Sequence, residues 1–543
     1  MNSPQLDSDA GRLVRASATV AVGTLLSRLT GLARVFVLAY ALGQATLADT
    51  YNLANTTPNI VYELFLGGVL TATLVPLFVE HLERRDTHAT SAVFTTTTCA
   101  LVGLTVVAIL AAPAIARLYT LDVSGAQRAD QIEVMTFLIR CFMPQICFYG
   151  IAALATAMLN ARRRFVAAAY APVLNNVVVV CVLLAFTRAA TGPQSGWTNV
   201  DRIQGDTSLL VLLGIGTTAG VAAMALALLP AWYNAGERLK PVFEWRHESV
   251  RRMLRLSKWT VGYVVANQVT LLVVLLLAKS GAAGSVSAYQ YAFIFFQLPH
   301  GLLAVSIMTT ITPELARDAT AGDGAGLRRD FSLGLRYLIV VVVPAAVAVI
   351  ALAQPAVAIL VRPGGGFSAS DAALTADVLQ LLAIGLVPFS VYLYTLRGFY
   401  ARQDTRTPFF INVVENTANI AFALALFGVL GVQGLALAYA AAYLLAAAIA
   451  LIVLRRQVGD IFGPPLRATV AKAAVAAVAL AAVAVPVAGA IGDDTAGRAL
   501  AAALLAGVAG GAVYLGALTV MRTHEVAALV RLLRDRGTSR PDV

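Results

Sequence analysis

The chain has 543 residues, 59% of them hydrophobic and 13% charged, where an ordinary soluble domain has about 25% charged residues, so a soluble globular class is excluded. The formal charge of +11 at pH 7 would suit nucleic-acid binding if it were gathered in one domain. The lysines and arginines are instead scattered through the turns between apolar runs, and no nucleic-acid partner is expected.

A spanning helix needs about 20 mostly apolar residues. The sequence predicts fourteen, at 15–41, 52–80, 93–118, 134–158, 166–187, 208–233, 258–279, 284–313, 331–353, 372–400, 408–428, 432–454, 468–489 and 498–521. The first follows a polar head, Met1 to Leu13, and runs past signal-peptide length without a small-residue cleavage site, so it reads as a retained helix. It carries Arg28 and Arg34. A charge at mid-bilayer costs about 2.5 to 3.5 kcal/mol on insertion scales, so such residues are candidates for function. Six residues apart, they stand about 120° apart on an ideal helix and share one cavity only if it is broad or the helix bends, for instance near Gly31. The pair suits a diphosphate, whose oxygens match the guanidinium fork. The alternative is that they pair with Glu63, Asp49 or backbone carbonyls and lock the helices together.

In the second span Asp49 lies near the outer end, where an acidic side chain also favours a helix start. Glu63 reads as an internal counter-ion, a proton-coupling carboxylate or one half of a satisfied buried pair. Arg140 precedes Pro144 in the fourth span and reads as structural unless that proline turns it inward. Cys99, Cys141, Cys147 and Cys181 fall inside apolar runs with neither metal-ligand nor disulfide spacing. The connection 234–257 sets Val250, Met253, Leu254 and Leu256 among Arg251, Arg252 and Arg255, the pattern of a basic amphipathic helix on the inner leaflet. Span eleven is unusually polar, with Asn412, Glu415, Asn416, Thr417 and Asn419. With Asn267 of span seven, Asn412, Glu415 and Asn416 offer hard oxygen ligands for sodium; interhelical hydrogen bonding is the competing reading. Lys472 reads as a snorkelling anchor.

Sorting the 40 lysines and arginines by alternate connections, with span-edge residues counted in the connection they adjoin, places 27 on the side of both termini, 7 opposite and 6 within spans. The positive-inside rule then makes both termini cytoplasmic. Spans one to six and seven to twelve read as faint repeats, since each fourth span runs into a basic turn and a fifth span with early Pro and Asn. The expected organisation is an N-terminal bundle 1–233, an amphipathic linker 234–257, a C-terminal bundle 258–456, spans thirteen and fourteen within 457–521, and a cytoplasmic tail 522–543. Enzymatic readings find no support. The five histidines, His81, His88, His247, His300 and His524, form no metal-ligand pair at helical spacing, and Gly364–Gly366 lacks the following Lys-Ser or Lys-Thr of a P-loop.

Several segments then fall into a known order. They are Ser27-Arg28-Leu29-Thr30-Gly31-Leu32-Ala33-Arg34; Pro58-Asn59, Gly68 and Val75-Pro76; Arg140, Pro144, Leu159-Asn160, Arg164-Phe165 and Ala171-Pro172; Gly366-Phe367, Asp371 and Thr375; and Gly398 through Phe399-Tyr400-Ala401-Arg402-Gln403-Asp404-Thr405-Arg406-Thr407 to Pro408. In this series the chain resembles the MurJ/MviN family of lipid II flippases over most of the first twelve spans. The resemblance implies an all-α polytopic membrane protein of about 14 transmembrane helices: two six-helix bundles in an inverted V plus two C-terminal helices. It implies alternating access, residence in the bacterial cytoplasmic (inner) membrane, no catalysis, and no cofactor beyond Na+ or H+ coupling. The implied partners are lipid II (undecaprenyl diphosphate-linked disaccharide-pentapeptide), membrane lipids, and cell-wall synthesis or division proteins. Arg28, Arg34, Asp49, Asn59 and Glu63 become the substrate-binding candidates, and Asn267, Asn412, Glu415 and Asn416 the ion-site candidates. Two departures stand out. Tyr62-Glu63 occupies a place where much of the family has paired arginines, and Ile294 and Gln297 replace a family arginine and glutamate in span eight. Flippases for other polyprenyl-linked glycans, drug exporters of the same superfamily, and a non-transporting cell-wall scaffold are the alternatives.

Overall fold

The computed structural model describes residues 3–84, 86–121, 123, 126–162, 164–190, 203, 205–234, 241–249, 251, 258–360, 367–523 and 525, with the side chains of 3–18, 21, part of 66–76, 126, 127 and 258 excluded. Gly364–Gly366, most of the expected amphipathic linker and nearly all of the C-terminal tail lie outside the described residues.

In chain order the helices are α1 (Ser3–Leu42), α2 (Thr46–Tyr62), a π-helical turn (Glu63–Gly67), α3 (Gly68–Glu83), α4 (Thr87–Tyr119), α5 (Ala126–Phe142), α6 (Gln145–Ala161), α7 (Phe165–Ala189), α8 (Thr207–Ala227), α9 (Leu229–Tyr233) and α10 (Lys258–Ser280). There follow α11 (Ser285–Pro299), a second π-helical turn (His300–Ala304), α12 (Val305–Ala321), α13 (Gly324–Ala358), α14 (Ala369–Ile384), α15 (Leu386–Ala401), α16 (Arg406–Leu430), α17 (Val432–Val458), α18 (Pro464–Ile491) and α19 (Ala496–Val520). No strand occurs among the described residues.

Twelve described helices are long and apolar enough to cross a membrane, or thirteen when α14 and α15, bent by 43°, count as one broken span. The protein is thus all-α and multi-pass, with twelve or thirteen of the fourteen expected spans found among the described residues. Span 52–80 is not among them; the chain there is helical from Thr46 to Glu83 through a π-helical turn at Glu63–Gly67, and the side chains of part of 66–76 lie outside those described. The bend at Gly385 has a packing reason, because a Cβ there would stand 2.9 Å from Ala440 Cα on α17. Only glycine lets the two backbones approach so closely.

Helix ends follow elementary capping. Asp86 accepts from Ala89 N at the start of α4, Asp323 from Ala325 N and Gly326 N before α13, and Ser368 and Asp371 form a reciprocal capping box before α14. Gly322 closes α12 in the left-handed conformation.

By contact the chain divides into two compact units, Met1–Ser287 and Ala288–Val543. In the first, α1 lies along α7, α7 along α8, and α2 against α5 and α6, while α10 packs on the Glu63–Gly67 turn and α3. Here Gly23 faces Tyr170, and Asn176 Nδ2 donates to Ser27 O (3.2 Å) and Thr30 Oγ1 (3.1 Å), so one stripe of α1 is fixed to α7. In the second unit α18 and α19 pair with each other and pack on α13. Their seam is built of Ala476, Ala477, Leu480, Ala484, Ala506 and Tyr514 against Val340 and Leu352, and Tyr514 OH donates to Val340 O at 2.8 Å. Small residues are what allows such close helix approach in a membrane, where lipid competes for every apolar face.

Candidate functional site

Within the first unit, Arg34 on α1 and Asn59 on α2 meet at Tyr149 of α6. Asn59 hydrogen-bonds the Tyr149 side chain, and Arg34 stands close enough to interact with it electrostatically. Tyr62 adds a ring 5.9 Å from that of Tyr149. Arg34, Asn59, Tyr62, Glu63 and Tyr149 are all half-buried, so the cluster is polar, cationic on one side and accessible. Arg28 is exposed, about 120° around α1 from Arg34. Among the described residues neither arginine forms an ion pair with Glu63 or Asp49, and Arg28 has no hydrogen-bond partner. The reading in which both are locked in helix-joining salt bridges therefore finds no support among them.

Asp49 has a different setting. Its carboxylate is 1% exposed and accepts from Gly284 N (2.8 Å), Ser287 N (2.9 Å) and Ser287 Oγ (2.6 Å), with Lys279 nearby. Asn52 Nδ2 donates to the same Ser287 Oγ at 3.1 Å. Asp49 thus ties the start of α2 to the loop 281–287. Gly284 in that loop has φ +89°, and a Cβ there would lie 2.4 Å from Gln44 O, so both the backbone conformation and the close approach require glycine.

In the second unit α16 buries Asn412 (0% exposed), Glu415 (1%), Asn416 (6%) and Asn419 (4%). Asn416 Nδ2 donates to Glu415 Oε2 at 2.8 Å and to Asn412 O at 2.9 Å, and Tyr289 of α11 lies within electrostatic range of Glu415. Asn416 thus satisfies one oxygen of a carboxylate that is otherwise shielded from solvent on α16. Asn267 sits on α10, in the other compact unit.

The structure brings the sequence candidates Arg34 and Asn59 together at Tyr149, sets Ser287 against Asp49 and places Tyr289 near Glu415, and none of these three neighbours is singled out by the sequence. A tyrosine in an apolar run carries no local signal of what it faces. Tyr149 becomes informative only when α1, α2 and α6 are laid side by side.

A chain of a dozen or more apolar helices, with polar clusters held inside two helical units, defines a multi-pass α-helical membrane protein with internal hydrophilic sites, the class to which transporters belong. Comparison with solved structures agrees on the fold. The chain superimposes on a lipid II flippase MurJ in an inward closed conformation with a TM-score of 0.73, at 20% identity, covering 92% of this chain and 98% of that one. An inward-facing multidrug resistance MATE family transporter of the MOP superfamily gives a TM-score of 0.65 at 15% identity, covering 82% and 98%.

The family model described as lipid II flippase MurJ matches residues 38–493, and the chain belongs to that family. Among relatives, a probable lipid II flippase MurJ of Haemophilus influenzae is 29% identical over 74% of this chain and 78% of its own length. One of Rhizobium meliloti is 30% identical over 78% and 77%. The family match begins after Arg28 and Arg34, whose roles therefore rest on the residues themselves.

Proposed function

We propose that this protein moves lipid II, the lipid-linked peptidoglycan precursor, from the cytoplasmic to the outer leaflet of the bacterial inner membrane by alternating access, without altering it chemically. The observation that carries this reading is the family match over residues 38–493. The Arg34, Asn59 and Tyr149 cluster supports it, because a diphosphate needs cationic and hydrogen-bonding groups inside an otherwise apolar protein. In this reading Arg28 and Arg34 bind the diphosphate and Asn59 the attached polar groups. Glu63 provides a counter-charge, and Asp49 fixes the end of the helix that presents them. Asn412, Glu415 and Asn416 form the site of a coupling cation, sodium or a proton.

Both termini face the cytoplasm, and cell-wall synthesis or division proteins are the partners such a protein would serve. Depletion of the protein tests the function. Lipid II should accumulate in the inner leaflet and vanish from the outer face, whereas unchanged outer-face lipid II on full depletion would reject the reading.

A further inference from the structure

The segment after α9 carries a feature that the proposed transport path does not use. Residues 241–246 run without helical structure across the start of α4, held by Val242 N donating to Thr95 Oγ1 (3.3 Å) and Glu244 N to Thr96 Oγ1 (3.2 Å). Phe243 and Trp245 are 60% and 59% exposed, whereas Glu244 reaches His88 in the first turn of α4, with His88 Nε2 3.5 Å from Glu244 Oε1. The chain then turns and brings His247 alongside, its ring 6.0 Å from that of His88.

One ligand atom from each of His88, Glu244 and His247 lies within 4.8 Å of the other two. Bonds of about 2.0 Å in tetrahedral geometry place ligand atoms about 3.3 Å apart, so the His88–Glu244 spacing already fits and the remaining distances need at most about 1.5 Å of side-chain rotation. We propose that His88, Glu244 and His247 bind a divalent transition-metal ion of the Zn2+ class. Two imidazoles and one carboxylate make a borderline-soft set that suits zinc better than magnesium or calcium, which prefer all-oxygen shells. Three protein ligands leave a fourth position for water.

The surroundings hold the ligands in place. Asp86 caps α4 through Ala89 N (2.8 Å), which sets the turn bearing His88, and Ser249 Oγ is hydrogen-bonded to His81 Nε2 at 3.0 Å. Ser249 N donates to His247 Nδ1 at 3.2 Å. Ion binding gives up that long contact whichever nitrogen coordinates, since coordination at Nδ1 replaces it and coordination at Nε2 moves the ring proton to Nδ1. The bound ion would pin the 241–249 segment to α4.

The test uses the full chain without a polyhistidine tag in detergent, titrated with Co2+ and read by its visible d–d absorption, with Zn2+ as competitor. One saturable Co2+ per chain, displaced by Zn2+, is expected. His88→Ala and His247→Ala should each weaken binding by an order of magnitude or more, while His524→Gln leaves it unchanged. Zn2+ should raise the unfolding temperature of the parent but not of the variants, and without metal all should unfold alike. Absence of saturable absorption, or absorption unchanged in both histidine-to-alanine variants, would overturn the site. Neither result bears on lipid II movement, which is measured separately.

Discussion

Arg28 and Arg34 differ in ways that composition alone does not reveal. Arg34 reaches the Asn59–Tyr149 pair, whereas Arg28 is exposed with no partner among the described residues. Removing Arg28 therefore leaves no buried carboxylate unpaired, and Arg28→Ala should insert and accumulate normally while losing outer-face lipid II exposure. Lys at the same position should restore only part of it, because the charge returns without the bidentate fork. Outer-face lipid II at matched protein level is the measurement, and full activity of the alanine variant would remove Arg28 from the binding site. Asp404 supplies a pH-dependent case outside the membrane. Burial pushes its carboxyl up, but hydrogen bonds from Thr407 and Arg406 at the start of α16 prevail and hold it below the ordinary range. A carboxyl with a lowered folded-state pKa stabilises above its unfolded value, about 3.9, and that stabilisation is lost as pH falls through the folded value. Asp404→Ala should cost roughly 1 kcal/mol at neutral pH, as for loss of a helix cap, and the gap between variant and parent should close on acidification below about pH 4. An unfolding-temperature difference constant from pH 7 to pH 3 would contradict this.

At the scale of elements, much of the architecture was legible because apolar runs of spanning length announce themselves, and the basic turns between them set their order. Caps at Asp86, Asp323 and Ser368 are local chemistry, each closed within three residues of the chain. What was not legible depends on distant neighbours. Asp49 reads in the sequence as a cavity ligand or a helix start, and nothing local shows that its carboxylate accepts three hydrogen bonds from a loop more than two hundred residues later in the chain. The histidines read as unrelated because their approach is made by a turn rather than by helical spacing. The same applies to Glu525, which is 3% exposed and paired with Arg336 of α13, and which accepts from Thr469 Oγ1 of α18 at 3.0 Å. Removing one member of a buried pair leaves an uncompensated charge, which costs about 3 to 5 kcal/mol. Glu525→Ala should lower stability in that range, and Arg336→Met in the same chain should recover much of it. Calorimetric or denaturant unfolding decides this, and additive losses in the double variant would show that the pair is not a unit.

For the whole molecule, the distribution of basic residues makes a claim that is independent of any site. With 27 lysines and arginines on the side of the termini and 7 opposite, a reporter fused at Val543 should be active only in the cytoplasm. Periplasmic activity would invert every assignment of inside and outside. The proposed cation site couples to the same axis. Glu415→Ala should insert normally but lose the sodium dependence of transport, and an unchanged sodium response would leave the α16 cluster as interhelical hydrogen bonding alone.

The π-helical turns at Glu63–Gly67 and His300–Ala304 fall within the second and eighth expected spans and carry a consequence for how the chain can change over time. A hydrogen bond from i to i+5 accommodates about one residue more per turn than the α-helical bond. Each turn thus stores a single residue of slack. Loss of one residue there would let the helix close into regular α form with both flanks in their present orientation, so α3 would still bring Leu74, Phe78 and His81 to the interior. Loss of one residue anywhere else in these helices would swing everything downstream by about 100°. The two turns are therefore the positions in these helices where relatives can differ in length by one residue without refolding. A gap in their alignment belongs there rather than in the nearest loop.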